Sequence, residues 1–451
     1  MLVYLLCYGA GMLFASSAHS ALSGLSLMAA ALYLYFYDYR QTKNPLHLRG
    51  LFSLFWTGGQ GISCLKLSRL QGEWNYETWA CFFVAQTSLW CVFEFLRRRE
   101  LLSRKESAGD VETCASESEE TYPAGTAVLS GNGYGKGLFE ALLIVTAVSL
   151  SAFLFEAAVL GYVPFFVRGV PHAYSYFHIS GVHYFTVSCV LAPSLGVLYF
   201  LSGDKGKLPK RIAAAVFVAV SLAIPLLCVS RFQLIFAVFL AVITYMMASG
   251  KRKLFYMAGA VAALIPFYVL LTIARSHDVA YLNGIFEMKN GNTPIFVTQP
   301  YMYIANNYDN FNCLVEQLPA HTFGLRMLFP VWALTGLKFL KPELAAFPIY
   351  TTKEELTTVT LFYDAYYDFG IAGVFFFSAA LGAAAFWLMR KTGQGKNPVW
   401  FLFYAQAAVY FMLSFFTTWY SNPATWFYLA ATGAVFAYTA LRRRRRGHIE
   451  S

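Results

Sequence analysis

Residues 212–248 read IAAAVFVAVSLAIPLLCVSRFQLIFAVFLAVITYMMA, an apolar run interrupted by one charge, Arg231. As a single helix the run would rise about 56 Å at about 1.5 Å per residue, nearly twice the roughly 30 Å hydrocarbon core of a bilayer. Two spans joined by a tight turn at Ser230-Arg231 fit the length. Pro225 then bends the first span, because a proline inside a helix lacks the N–H its turn needs. Arg231 comes to lie at or just below a membrane surface. A long side chain there can snorkel to the headgroups. An arginine among apolar residues is also costly, and so marks a cavity-facing functional position.

The same reading extends outward over the whole chain. Of its 451 residues, 58% are hydrophobic, 18% aromatic and only 13% charged, where a soluble domain carries about 25% charged residues. The apolar residues fall into runs of about 20, the length that crosses a bilayer. Twelve spans are expected near 2–17, 21–38, 50–66, 77–96, 137–160, 181–201, 212–229, 232–248, 254–274, 369–389, 398–418 and 424–441. The chain is thus expected to be an all-α polytopic membrane protein. The first run ends in an A-x-A-like stretch near Ser17–Ala21 but has no basic segment before it, so it reads as a span rather than a cleaved signal.

Charge sets the orientation. Segments 39–49, 97–136, 202–211, 249–253, 390–397 and the tail hold 3, 6, 4, 3, 3 and 5 Lys and Arg, together 24 of the 34. The positive-inside rule then puts these segments and both termini in the cytoplasm. A net charge of +10 distributed this way argues for membrane topology and against a nucleic-acid partner. The eight cysteines show no zinc or disulfide spacing.

These boundaries divide the chain into four N-terminal spans (1–96), a cytoplasmic linker (97–136), spans five to nine (137–274), a large outer loop (275–368), three further spans (369–441) and a basic tail (442–451). The linker is Ser- and Glu-rich, ends in Gly131-Asn132-Gly133-Tyr134-Gly135, and reads as flexible.

The outer loop is the candidate site. In Gln299-Pro300-Tyr301-Met302-Tyr303-Ile304-Ala305-Asn306-Asn307-Tyr308-Asp309-Asn310-Phe311-Asn312 aromatic and polar residues alternate closely. That composition suits sugars, with rings covering C–H surfaces and amides and carboxylates bonding hydroxyls. An aromatic belt at the headgroups is the plain alternative, but a belt needs no Asn/Asp series. The stretch Leu325–Leu340 is apolar enough to lie in the interface or re-enter the membrane. His19, His172, His178, His183, His277 and His321 all fall on or near the outer side; they lack a metal-ligand spacing, yet leave a plausible general base among them.

Outer arginines are few: Arg69, Arg168, Arg231, Arg275 and Arg326. Arg231 and Arg275 stand where spans emerge, a depth at which a guanidinium can hold a phosphate or pyrophosphate in bidentate fashion. Asp364 and Asp368 are four apart, so a helix there would place both on one face. Arg231 and Arg275 are their expected partners, and Gly370 and Gly373 would permit close helix packing.

Taken together, Ser230-Arg231 in a tight turn, Arg275 at the head of the long loop, the stretch Tyr303 to Phe311, and Thr360-x-x-Tyr363-Asp364-x-Tyr366-x-Asp368-Phe369-Gly370-x-x-Gly373 resemble the oligosaccharide repeat-unit polymerases, Wzy, over roughly residues 175–390. The resemblance implies a bacterial inner-membrane glycosyltransferase of the GT-C type. Its donor and acceptor would be undecaprenyl-pyrophosphate-linked oligosaccharides, as in O-antigen or capsule synthesis, with a flippase and a chain-length regulator as partners beside the lipid bilayer. It implies neither metal nor other cofactor. In that scheme Arg231 and Arg275 stabilise the departing pyrophosphate, Asp368 or His321 takes the acceptor proton, and Asn306, Asn307, Tyr308, Asp309, Tyr363, Asp364, Arg326 and Arg168 hold substrate. An O-antigen ligase uses the same donor. A flippase or other transporter would carry charge along the middle of its spans, and Glu94, Glu140 and Glu156 lie instead toward span ends.

Overall fold

The computed structural model describes residues 1–108, 133–167, 173–202, 208–274 and 279–447. Arg168, Arg275, His172 and His277 therefore lie outside the described residues, as does most of the linker. In chain order the α-helices are α1 (Leu2–Ser16), α2 (Ser20–Thr42), α3 (Leu48–Ser63), α4 (Tyr76–Ala108), α5 (Gly135–Leu160), α6 (Val182–Val187), α7 (Ala192–Leu201), α8 (Leu208–Leu227), α9 (Arg231–Ser249), α10 (Phe255–Ala274), α11 (Val279–Phe286), α12 (Ile295–Gln317), α13 (Phe329–Leu334), α14 (Leu337–Leu340), α15 (Tyr363–Gln394), α16 (Trp400–Met412) and α17 (Pro423–Gly447). Among the described residues the only β-pairing noted outside a named strand is a bridge between Ser68 and Met288. Among the described residues eight helical segments are long and apolar enough to cross a bilayer: Ser20–Thr42, Tyr76–Ser103, Gly135–Leu160, Val182–Leu201, Leu208–Leu227, Arg231–Ser249, Tyr363–Gln394 and Pro423–Arg444. The chain is a multi-pass, membrane-embedded helical protein.

The run 212–248 is two helices. Ser230 N–H donates to the Pro225 carbonyl and Val229 N–H to Leu226, closing α8 with Val229 in the left-handed region at φ 54°. A β-branched residue pays for that conformation. Ser230 then caps α9 by accepting from Gln233 N–H, which makes Arg231 the first residue of the helix.

Two expectations change. Helix α4 continues to Ala108, so the linker does not begin at 97; Arg97 and Arg98, one turn beyond Glu94, both donate to its carboxylate and extend the helix by i,i+3 and i,i+4 pairs. The segment 275–368 is not an open loop but contains α11 to α14 and the start of α15.

The chain forms two compact units. One comprises 1–121, 278–389 and 410–423; the other comprises 122–277, 390–409 and 424–451. In the first unit α2 and α3 cross so closely that a Cβ on Gly24 would lie 2.6 Å from the Gly61 carbonyl, and one on Gly61 2.8 Å from that of Gly24. Tyr308 of α12 packs onto Gly59, and its hydroxyl donates to the Trp56 carbonyl at 2.8 Å. Beneath it Trp56, Phe52, Phe82, Phe311 and Phe362 form a buried aromatic core. At the opposite end of these helices Arg49 pairs with Asp38 and Glu94 while lying over the rings of Trp90 and Phe93. In the second unit α5, α7, α8 and α9 surround a core of Leu195, Leu198, Phe236, Leu240 and Ile243. Glu140 holds Arg442 and Tyr438 of α17 at one end.

Candidate functional site

In the second unit Arg231 stands at the positive end of the 19-residue helix α9. Its side chain is buried, and its guanidinium lies 5.0 Å from the centre of the Tyr268 ring. Among the described residues its buried Nε finds no hydrogen-bond partner, nor does Oε1 of Gln233. A buried guanidinium with a donor left over, at a helix N-terminus, has the chemistry to accept an anion.

Glu156, near the end of α5, is fully buried in the same unit. Its carboxylate faces Nδ1 of His183 at 3.1 and 3.2 Å, and accepts from Thr186 Oγ1 at 2.7 Å and Ile179 N–H at 2.8 Å. Cys228, three residues before Arg231, lies within electrostatic reach of Glu156. The His183 ring is partly exposed and stands edge-on to His178, with centroids 6.2 Å apart.

The first unit holds the acidic pair. Helix α15 breaks at Gly370, whose φ of 60° and ψ of −148° separate the first two turns from the long span. Asp364 and Asp368 lie on one face of those turns, as their spacing requires. Among the described residues their partners come from segment 322–327 rather than from Arg231, and the expected pairing with Arg275 lies outside the described residues. Asp364 accepts from Arg326 Nε, and Asp368 accepts from Thr322 Oγ1 and from the backbone N–H groups of Arg326 and Met327. The reason is local. Segment 321–327 turns sharply, with Phe323 and Gly324 at positive φ, and its orphan donors face the nearest carboxylates. Asp368 is wholly buried in this role, with both oxygens accepting from the turn. His321 turns Nδ1 toward the Tyr367 carbonyl at 3.3 Å, and its Nε2 packs against Gly370.

Arg326 is better placed than its position in a loop suggested. Tyr367 and Tyr363 lie under its guanidinium at 4.5 and 5.4 Å, and Nη1 donates to the Pro348 carbonyl. Burial alone would make it less basic, but Asp364 outweighs that and raises its pKa above the usual arginine value. With Asp364 it lines a cavity of about 370 Å³, together with Phe329, Phe347, Thr418 and Asn422. A guanidinium, a carboxylate, a hydroxyl, an amide and aromatic faces thus converge on one cavity, the mix of polar groups and apolar surface that a small-molecule site presents.

The amide series of α12 does something else. Asn306 bonds Asn310 and Thr352; Asn307 donates to the carbonyls of Tyr303 and Phe415 and accepts from Thr358. Asp309 accepts from Ser63, Lys66, Gln71 and Trp74. With Tyr308 these residues are buried and engaged. They hold the loops above the helices in place. The sequence reading missed Glu156 as a partner of His183; only the spacing of Glu156, His178 and His183 around one span end pointed toward it. It also missed Phe347, Thr418 and Asn422, which no motif marks.

No family model, no curated protein and no solved structure matches this chain, so its function is argued from these residues and their geometry.

Proposed function

We propose that this protein is a membrane glycosyltransferase that polymerises undecaprenyl-pyrophosphate-linked oligosaccharide repeat units at the outer face of the bacterial inner membrane. In this reading about twelve spans form a GT-C-type body with both termini in the cytoplasm, and the ends of α8 and α9 that carry Arg231 face outward. A flippase supplies the lipid-linked units and a chain-length regulator sets the product.

The observation that carries the reading is the buried Arg231 guanidinium with Nε unpartnered at the N-terminus of α9. As the glycosidic bond to the carrier breaks, negative charge gathers on the bridging oxygen of the pyrophosphate. A positioned cation in a partly dehydrated site stabilises that charge most strongly. Arg275 is assigned the same role on the strength of the resemblance. The aromatic and polar cavity around Arg326 suits the glycan itself.

The test is a gene deletion restored with variants, read as polysaccharide length and as the lipid-linked precursors that accumulate. Arg231→Ala is expected to lower long-chain product by about 100–1000-fold at normal protein level, the usual cost of removing one positioned charge stabiliser. A polymerase defect leaves single repeat units, whereas a ligase defect leaves finished polymer on the carrier. Wild-type chain length in Arg231→Ala overturns the proposal.

A further inference from the structure

We infer that His183 and Glu156 form the proton-accepting pair of this reaction, His183 as the catalytic base and Glu156 as the residue that positions it. The inference rests on the polymerase reading above.

Glu156 has no exposed surface, yet it sits near the end of a membrane helix where an ionised carboxylate is expensive. Three donors converge on it, Ile179 N–H, His183 Nδ1 and Thr186 Oγ1, and all come from the short stretch 179–186 that leads into and through α6. Ile179 N–H takes Oε1 and the Thr186 hydroxyl takes Oε2, and among the described residues the imidazole, which faces both oxygens, is the ionisable partner of the carboxylate. A carboxylate on Nδ1 holds the proton there and leaves Nε2 as the basic nitrogen. No hydrogen-bond partner for Nε2 is found among the described residues. The ring is about 29% exposed where the carboxylate is sealed, so Nε2 is the atom of the pair that can meet a hydroxyl. By contrast Asp368 spends both oxygens on the 322–327 turn.

Among the described residues, His178 from the connection before α6 stands edge-on to His183, and Cys228 at the end of α8 is near enough for Glu156 to act on it electrostatically. Arg231 follows Cys228 by three residues in the same unit.

The step balances without a further reagent. The acceptor hydroxyl oxygen bonds to the anomeric carbon of the donor sugar while its proton passes to His183 Nε2. The bond from that carbon to the pyrophosphate oxygen breaks, and the electron pair leaves with the lipid pyrophosphate. Glu156 stabilises the imidazolium that results, and the proton later returns to water or to the pyrophosphate.

The experiment uses the full-length protein purified in lipid vesicles, with the lipid-linked repeat unit extracted from the deletion strain as substrate. Elongation is followed from pH 5 to 9. His183→Gln is expected to slow elongation by about 100-fold or more, the lower end of what general-base catalysis contributes. Glu156→Gln keeps one oxygen, which can still accept from Ile179 N–H, while its amide N–H can donate to the Thr186 hydroxyl, but it loses the charge; it is expected to lose about 10-fold or more and to shift the low-pH limb of the rate profile. Thr186→Val removes a bond to the same carboxylate while leaving the imidazole in place, and is expected to keep its rate within about threefold. Thermal stability measured on each variant separates damage to folding from damage to chemistry. If the wild type elongates and His183→Gln does so within twofold, the pair is not the base, while the polymerase reading stands. If His183→Gln and Thr186→Val lose rate and stability together, Glu156 is a structural staple and the inference falls. If the deletion accumulates no lipid-linked unit and the wild type elongates nothing, both the polymerase reading and the pair fall.

Discussion

Lys66 reaches the Asp309 carboxylate at 2.7 Å, a salt bridge between residues 243 positions apart that ties the α3–α4 connection to the middle of α12. Lys66 adopts a left-handed backbone and lays its ammonium 4.5 Å from the centre of the Trp74 ring, whose indole N–H bonds the same carboxylate. Asp309 is therefore a structural hub. Its replacement should act on stability before it acts on any glycan.

Asp309→Asn leaves Lys66 a nearly buried charge without its counter-ion. Breaking a buried pair from one side costs about 3–5 kcal/mol, read as a lowered melting temperature in detergent. Adding Lys66→Met should recover a large part of the loss. An Asp309→Asn protein of wild-type stability that fails only in sugar binding would restore the residue to the substrate site.

Gly59 lies directly beneath the Tyr308 hydroxyl, so Gly59→Ala forces the ring aside. Overpacking of this kind costs about 1–3 kcal/mol. Tyr308→Phe removes the clashing oxygen together with its bond to the Trp56 carbonyl. The double variant should therefore be less destabilised than the two single losses added, and strict additivity would disprove the contact.

Arg326→Lys keeps the charge but loses the planar contact with Tyr367 and the second donor to Pro348. Polysaccharide length is expected to fall, with product reduced about 10-fold or more on the scale of a lost charge-assisted bond, at near-normal protein level. Asp364→Asn, which frees the guanidinium from its fixed carboxylate, should act in the same direction. Unchanged product in both would remove the cavity from the glycan path.

His47, in the α2–α3 turn, supplies a pH dependence that is independent of catalysis. Burial brings its pKa down to about 4; Asp38 and Glu94 oppose the shift, and Arg49 and Arg97 reinforce it. Its ordinary value is 6.5. Above 6.5 the imidazole is neutral folded or unfolded and nothing is lost. Between about 6.5 and about 4 the unfolded chain binds a proton that the folded one refuses, so stability declines as pH falls through that window, by about 1–3 kcal/mol. His47→Asn keeps a cap acceptor for Gly50 N–H and should flatten the decline. Parallel curves for the two proteins would show that His47 is not the source.

The multi-pass helical character was legible because a bilayer demands long apolar helices, and that demand is written in composition alone. The break at Ser230-Arg231 followed from length, and the shared face of Asp364 and Asp368 from their spacing. The partners of the amide series were not legible: an Asn/Asp series among aromatics looks the same whether its amides meet sugar or meet backbone carbonyls, as Asn307 meets that of Phe415 and Asn310 those of Leu356 and Thr358. Only the partners distinguish the two, and they lie about 50 to 100 residues away.

By itself, then, the amino-acid order determined a helical membrane protein, the turn that presents Arg231, and the helix face that presents the two aspartates. Each follows from local rules of length, periodicity and capping. Tertiary structure alone decided which charge meets which: Arg326 with Asp364, Lys66 with Asp309, His183 with Glu156. Pairing energy depends on distance through folded space and on the water excluded around each pair, and neither quantity is encoded in separation along the chain.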